Sequence, residues 1–521
     1  MKRIETFDST LRDGAQSEDI SFSVNDKINI VKVLDDFGIT YIEAGNPASN
    51  PKDLEFFEKL SEIELKNSKV CAFGSTRRKK SKIEDDANIK ALLSANTEVV
   101  SIFGKTWDLH VKEVIQTTLE ENLEMIFDTV KYLKDCGKEV IFDAEHFFDG
   151  YKSNPKYAMK VLKKAVDAGA DVLCLCDTNG GILPNEVRDI VSLVVKQFSG
   201  IRIGMHAHND SGCAVANTII AVQEGAVQIQ GTFVGFGERC GNADLSSIIP
   251  SLNLKTEYVC DGKLELVTET AKKISGISNI KLLNNKPYVG KSAFAHKAGM
   301  HIDGVLKNST SFEHVDPSLV GNKRRFLISE VAGRGSILEK IRPFAPEIDK
   351  NSPILSKIID TLKNLEHKGY QFESSDASFE ILVKKILGKH KPYFKLNLYK
   401  TMGEFPMADN EFPSYATVKV EVNGTSEMTA ASGNGPVNAL DTALRKALVV
   451  FYPNLSKMKL LDYKVRVLDQ KQATAATTRV LIESTNGKEN WTTIGVSTDI
   501  IEASIIALVD SIEYFLEKYN V

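Results

Sequence analysis

Four clusters of polar residues in this chain have the types and spacing to do chemistry. Asp8, Arg12 and Asp13 follow one short apolar run, and Asp143, Glu145 and His146 end another. His206-Ala207-His208-Asn209-Asp210 ends a third, and Gly237-Glu238-Arg239-Cys240-Gly241-Asn242 follows a fourth. His206 and His208 carry the strongest signal. Residues two apart on a strand project to the same side, so both imidazoles can reach one ion. Two neutral nitrogens plus a carboxylate, with coordination positions left open, suit a divalent transition metal or Zn²⁺. Read alone, the pair could be incidental; Asp13, at the end of a strand that would neighbour it across a closed sheet, favours the metal. Arg12 beside that metal would neutralise an oxyanion, or would form a plain ion pair with Asp13. Glu145 reads as an acid-base group or a structural carboxylate, and Asn242 as an amide-oxygen ligand or a turn residue. Thr178, in Asp177-Thr178-Asn179-Gly180, either reaches a substrate carboxylate or caps a helix starting near Asn185. The run Arg77 to Lys80 could meet phosphates, although a solvated charged face is the simpler reading.

The elements that must position these groups can be counted. Apolar runs at Arg3 to Asp8, Thr40 to Ala44, Lys69 to Gly74, Glu98 to Gly104, Glu139 to Ala144, Asp171 to Cys176, Ile201 to His206 and Gln228 to Gly235 alternate with helix-period stretches. Val24, Ile28, Val31 and Leu34 make one such face, with Ser23 and Asp26 as a capping signal. A longer one runs from Val111 through Leu119 to Leu133. Eight βα units in about 250 residues predict a (β/α)₈ TIM barrel, because repeated right-handed crossovers close the sheet, and they put the polar clusters at its C-terminal face. The turn Thr10 to Gly14 is no dinucleotide fingerprint, which argues against an open doubly wound sheet. The expected fold class is α/β: a barrel over 1–270, helical linker subdomains over 271–374 with a helical stretch from Ile337 to Leu365, and an α+β domain over 375–521. That last domain carries an internal repeat. Thr417 to Val422 and Gly433 to Leu448 overlay Thr478 to Glu483 and Ser497 to Ile512 at an offset of 64, with Ala439 on Ala503, Ala443 on Ala507 and Leu444 on Leu508. Such a doubled unit commonly dimerises or binds a small ligand between its copies.

Composition narrows the function. The chain has 521 residues, 65 Lys and Arg against 69 Asp and Glu, and a net charge of -4. That balance argues against nucleic acid or a membrane surface as partner. No run approaches the roughly 18 apolar residues of a membrane span, and Met1 to Asp8 reads as a charged strand rather than a signal peptide, so a cytoplasmic location is expected. The 7 cysteines all lie between Cys71 and Cys260, as reduced thiols would, and Cys174 with Cys176 reads as core.

Four motifs together resemble the 2-isopropylmalate, homocitrate and citramalate synthase family: Asp8-Ser9-Thr10-Leu11-Arg12-Asp13-Gly14, His206 to Asp210, Gly235 to Ala243, and His296-Lys297-Ala298-Gly299-Met300-His301-Ile302-Asp303-Gly304. The resemblance covers nearly the whole chain, and its C-terminal domain is similar to that family's amino-acid-binding regulatory domain. It implies that Asp13, His206, His208 and Asn242 hold Mn²⁺, Mg²⁺ or Zn²⁺, that Arg12 faces the substrate carbonyl, and that Glu145 and His301 are the acid-base residues. The implied reaction joins acetyl-CoA to a 2-keto acid. Leu11 to Lys27, Gly45 to Phe57 and Phe142 to Lys152 look more like the citramalate branch, which uses pyruvate, than the isopropylmalate branch, which uses 2-ketoisovalerate. Phe147 and Phe148 are candidates for the bulk that would exclude the larger keto acid, or are packing residues. A homodimer and isoleucine as effector are expected, with leucine if the product is isopropylmalate. One departure stands out: Asn322 to Phe326 after Val320-Gly321 holds no tyrosine, so no catalytic tyrosine is assigned. A metal-dependent aldolase or lyase on the same barrel, or an amino-acid sensor that has lost its chemistry, are the readings from other classes.

Overall fold

The computed structural model describes residues 2–49, 51–327, 334–404, 414–468, 476–487 and 489–519. It divides into two compact units, Met1–Phe294 with Glu313–Arg324, and Ala295–Phe312 with Arg325–Val521. In the first, eight parallel strands close on themselves: β1 (Lys2–Asp8), β2 (Tyr41–Gly45), β3 (Lys69–Ser75), β4 (Val99–Lys105), β5 (Glu139–Glu145), β6 (Val172–Asp177), β7 (Arg202–Ala207) and β8 (Gln228–Gly231). Each pairs with the next, and β1 pairs with both β8 and β2. A short strand that the sequence reading did not count, β9 (Tyr258–Cys260), adds in parallel to the start of β1. β2 and β6 are buried at every position, as strands covered on one face by helices and on the other by the barrel interior must be.

The helices around this barrel are α1 (Val24–Phe37), α2 (Pro51–Leu60), α3 (Ala87–Ser94), α4 (Leu119–Asp135), α5 (Phe147–Ser153), α6 (Pro155–Asp167), α7 (Pro184–Gln197), α8 (Ala214–Gln223), α9 (Leu245–Lys255) and α10 (Val267–Ile277). Ser23 and Asp26 cap α1 reciprocally, as their spacing predicts. Two expectations are corrected. The long helix does not begin at Val111: a single π-helical turn, His110–Val114, comes first, Gln116 turns into left-handed backbone, and Thr118 caps α4. The eighth strand stops at Gly231 rather than Gly235, because a Cβ there would stand 2.3 Å from the Ala243 carbonyl oxygen and the chain turns tightly at Thr232.

In the second unit, the strand pair β10 (Ala295–His296) and β11 (Arg325–Phe326) accompanies helices α11 (Gly299–Lys307), α12 (Arg334–Ile341), α13 (Pro353–His367) and α14 (Asp376–Ile386). The helical stretch expected over 337–365 is thus two helices, whose Ile337, Ile341, Leu355, Ile358 and Leu362 share a core with Phe372 and Phe379. The repeat follows as two copies of one plan. β12 (Lys395–Gly403), β13 (Ser414–Val422) and β14 (Thr425–Gly433) form an antiparallel sheet covered by α15 (Pro436–Val449). β15 (Lys459–Val467), β16 (Thr478–Thr485) and β17 (Asn490–Ser497) form another, covered by α16 (Ile500–Tyr519). The overlaid pairs Ala439 and Ala503, Ala443 and Ala507, Leu444 and Leu508 are all fully buried. Thr429 bonds the Ala443 carbonyl and Thr493 the Ala507 carbonyl, both at 2.8 Å. The outer strand of each sheet slips register once, between Leu396 and Leu398 and between Leu460 and Asp462. No described helix is long and apolar enough to cross a membrane.

Candidate metal centre and catalytic pocket

A cavity of about 270 Å³ opens at the C-terminal ends of the barrel strands and is walled by Arg12, Asp13, Phe73, Phe103, Glu145, Cys176, Thr178, His206 and His208, among others. Asp13 sits in the turn after β1, where Ser9 accepts its backbone N–H. Period-two alternation on β7 carries His206 and, just past the strand, His208 to the same side. Their Nε2 atoms lie 3.4 Å and 3.6 Å from Asp13 Oδ2. An isolated antiparallel bridge to His208 brings up Asn242. The loop that delivers it needs glycine: Gly241 has φ +87°, and a Cβ there would stand 2.1 Å from the Gly235 carbonyl oxygen.

Electrostatics fit this cluster to a cation. Burial alone would push the Asp13 carboxyl up, but Arg12, His206 and His208 outweigh it and hold it well below the usual carboxylate range. Burial and the neighbouring His206 lower His208 to about 4, so its imidazole is neutral. Burial would lower His206 too, yet its contact with Asp13 raises it. Two oxygens are buried without a hydrogen-bond partner, Asp13 Oδ1 and Asn242 Oδ1, the latter left over because its amide nitrogen donates to the Phe236 carbonyl. An ionised carboxylate, neutral imidazole and an unpartnered amide oxygen are the donors a divalent cation takes. Among the described residues a second cluster lies in reach of one ion, Asp143 with Cys174 and Cys176, and it is different in kind. Burial pushes the Cys174 thiol well up and Asp143 to about 6, so protons sit where a metal would need thiolates. Cys174 is core as expected, whereas Cys176 also reaches the pocket wall.

Arg12 is fixed from two sides. Its Nε donates to Glu43 at 2.6 Å, its Nη1 to Asp13 at 3.2 Å, and its guanidinium stands 3.9 Å from the centre of the Phe73 ring. Glu145 pairs with Lys105. The Thr178 hydroxyl accepts the backbone N–H of His146 at 2.9 Å and does not cap the following helix, whose N-cap is Leu183 without a side-chain bond; the capping alternative is therefore set aside. The barrel thus gathers Arg12, Asp13, Glu145, Thr178, His206, His208 and Asn242. His301 belongs to the second unit, on α11, where its exposed ring stacks on Phe312 with centroids 4.3 Å apart.

Phe147 and Phe148 lie fully within the barrel core instead of at the pocket rim, because α5 starts directly at the end of β5 and turns both rings inward. The aromatic wall is Phe73 and Phe103, stacked at 5.3 Å. Neither was singled out from sequence, since an aromatic in a strand reads as core. Glu43 was also missed, although a carboxylate inside the apolar run Tyr41–Gly45 was a usable signal. The basic run divides: Arg77 is buried against Glu121 and Asp128, Lys79 bonds the carbonyls of Ile115 and Gln116, and Arg78 and Lys80 are exposed.

Residues 3–274 match the HMGL-like family, 288–369 the homocitrate synthase post-HMGL domain-like family, and 373–516 the LeuA allosteric (dimerisation) domain. The (R)-citramalate synthase of Aquifex aeolicus is 52% identical over 519 residues, covering 99% of this chain and 98% of that one. That of Geobacter sulfurreducens is 50% identical over 520 residues, with the same coverage. A 2-isopropylmalate synthase of Methanocaldococcus jannaschii is 31% identical over 518 residues, 99% of this chain and 95% of that one.

Proposed function

We infer the reaction from the premise that this chain belongs to the HMGL-like family and, within it, to the (R)-citramalate synthases, with which it shares up to 52% of its residues over almost its full length. Acetyl-CoA and pyruvate are condensed to citramalate, and CoA is released by hydrolysis of the thioester. The observation that carries this reading is the buried Asp13, His206 and His208 set, with the unpartnered Asn242 oxygen beside it and Arg12 at its edge. Asp13, His206, His208 and Asn242 would hold Mn²⁺, Mg²⁺ or Zn²⁺, and a cation there would supply Lewis-acid polarisation of the keto group. The protein's own groups do the rest. The Thr178 hydroxyl donates a hydrogen bond to the pyruvate carboxylate. A base, His301 or Glu145, takes a proton from the acetyl methyl group. The resulting enolate attacks the keto carbon, and Arg12, which Glu43 holds in place, stabilises the alkoxide. The alkoxide then takes up the proton that the base removed, and water cleaves the thioester, giving citramalate and free CoA.

Phe73 and Phe103 bear on the choice of keto acid, because their stacked rings wall the pocket and their bulk would limit the side chain it accepts. A second cavity of about 610 Å³ shares Phe103 and is lined by Val114, Ile115 and Met125 together with Arg78, Lys79 and Lys105. Apolar wall and cations together suit the pantetheine arm and phosphates of acetyl-CoA. The C-terminal repeat would form the homodimer contact and bind an amino acid, isoleucine being the end product that citramalate leads to. Thiol release from acetyl-CoA, compared among pyruvate, 2-ketoisovalerate and 2-ketoglutarate, tests the reaction: pyruvate should win, and equal or faster turnover of 2-ketoisovalerate would move the chain to the isopropylmalate branch. Titration of isoleucine, leucine and valine tests the effector, with insensitivity to all three leaving only a dimerisation role.

A further inference from the structure

His146 belongs to none of the roles assigned so far, yet the chain is unusually constrained around it. It follows Glu145 directly and adopts left-handed backbone, φ 55° and ψ 35°, which a side chain disfavours. The peptide unit between the two residues is pinned at both ends. The Glu145 carbonyl accepts from the backbone N–H of Thr106 at 3.3 Å and from its hydroxyl, and the His146 N–H donates to Thr178 Oγ1 at 2.9 Å. Because that oxygen already accepts a bond, the Thr178 hydroxyl proton is left to donate elsewhere.

The imidazole explains what keeps the backbone there. It is nearly buried, its ring centroid lies 4.2 Å from that of His110 and 5.8 Å from that of Trp107, and its Nδ1 is 3.3 Å from Asp149 Oδ2. The same Asp149 oxygen accepts from Asn179 Nδ2 at 3.0 Å, so the start of α5 is tied to the loop that carries Thr178. Helix α5 has little freedom to shift: a Cβ on Gly150 would stand 2.5 Å from the Thr106 carbonyl oxygen. We propose that His146 is a positioning residue for the keto-acid subsite: seated on His110 and Asp149, its imidazole holds the left-handed turn that aims the Glu145 carboxylate and the Thr178 hydroxyl into the pocket.

The proposal rests on the pyruvate reading given above and is tested on the full-length enzyme with its metal. His146→Ala should lower kcat/KM for pyruvate roughly tenfold to a hundredfold, the scale of a small misplacement of reacting groups, while KM for acetyl-CoA stays put. His146→Gly, which tolerates the backbone but lacks the ring, should share that loss, and Asp149→Asn should show a smaller one. In the pair His146→Ala with Thr178→Val the losses should fall short of multiplying, since both act on one hydroxyl. Wild-type kcat/KM for pyruvate in the histidine variants and in Asp149→Asn, an equal rise in KM for both substrates, or full multiplication in the double variant would each overturn the proposal. Should His146→Ala fail to fold, Asp149→Asn decides. A wild-type enzyme that releases no thiol with pyruvate would sink the reaction itself; an active wild type with unaffected variants sinks this proposal alone.

Discussion

The two ends of the barrel are built from the same kinds of side chain and treat them in opposite ways. At the N-terminal ends of the strands, Arg202 on β7 donates to both oxygens of Glu5 on β1, to Glu139 on β5 and to the hydroxyl of Tyr41, while Lys69 on β3 and Tyr41 also donate to Glu139. Alternate strands thus supply one closed layer in which each charge faces an opposite one. At the C-terminal ends, Asp13 and Asn242 each keep a buried oxygen without a partner, and the His208 Nδ1 is unpartnered too. An orphaned buried polar atom costs roughly 1–3 kcal/mol. The lower network therefore serves the fold, whereas the upper one keeps polar atoms buried and unpaired beside the pocket, at a cost in stability.

That contrast can be broken at either end. The largest effect belongs to Asp13→Ala or His206→Ala, which should reduce thiol release by at least about 10³-fold, as should chelation, while the melting temperature stays within a few degrees. Near-normal turnover in either variant would dissolve the distinction. Two phenylalanine pairs come next. Phe147→Ala should cost about 3–5 kcal/mol of stability and leave the ratio of pyruvate to 2-ketoisovalerate turnover alone. Phe103→Ala should shift that ratio by about tenfold towards the larger acid at modest cost in stability. Arg202→Met should spare kcat and lower stability by about 1–3 kcal/mol, read as a drop of several degrees in a thermal melt, because Glu5 loses its ion-pair partner and Glu139 one of its three donors in a partly exposed site. The smallest effect is on acid stability. Burial would push the Glu139 carboxyl up, but hydrogen bonds from Arg202, Lys69 and Tyr41 outweigh it and lower it to about 2 from an ordinary 4.5. A depressed carboxyl stabilises the fold fully above its unfolded value and loses that contribution as pH falls towards 2. Glu139→Gln should therefore flatten the decline in stability over that window; an unchanged slope would mean that the lower layer is not what acid attacks first.

How far the sequence reveals this depends on whether a signal is local. The His206 and His208 pair was readable because strand alternation alone puts both rings on one side, and the count of eight βα units needed only periodicity. Phe73 and Phe103 were hidden because nothing local separates an aromatic that ends at a pocket from one that ends in the core. For Phe147 and Phe148 the sequence left pocket rim and core packing both open, and the immediate start of α5 decides for the core. The single linker region expected over 271–374 is divided for a reason no local signal carries, since 295–312 and 313–324 fold into different units. The C-terminal repeat was legible through its helices, whose small residues at Ala439, Ala443, Ala503 and Ala507 are fixed by close contact with the sheets.

The matching register slips in β12 and β15 bear on ancestry. A bulge is one extra residue at one point of a ladder, and no packing rule obliges two sheets to carry theirs 64 positions apart. The hypothesis that follows is descent: a single half-domain already had the irregularity, was copied, and was joined to its twin. Deleting Asn397 or Leu461, the extra residue in each strand, should then lower the melting temperature by similar amounts, and a large inequality would count against common origin. Fusion frees what identical copies cannot do separately. On that hypothesis each half is free to drift alone, one changing its surface while the other preserves the shared shape.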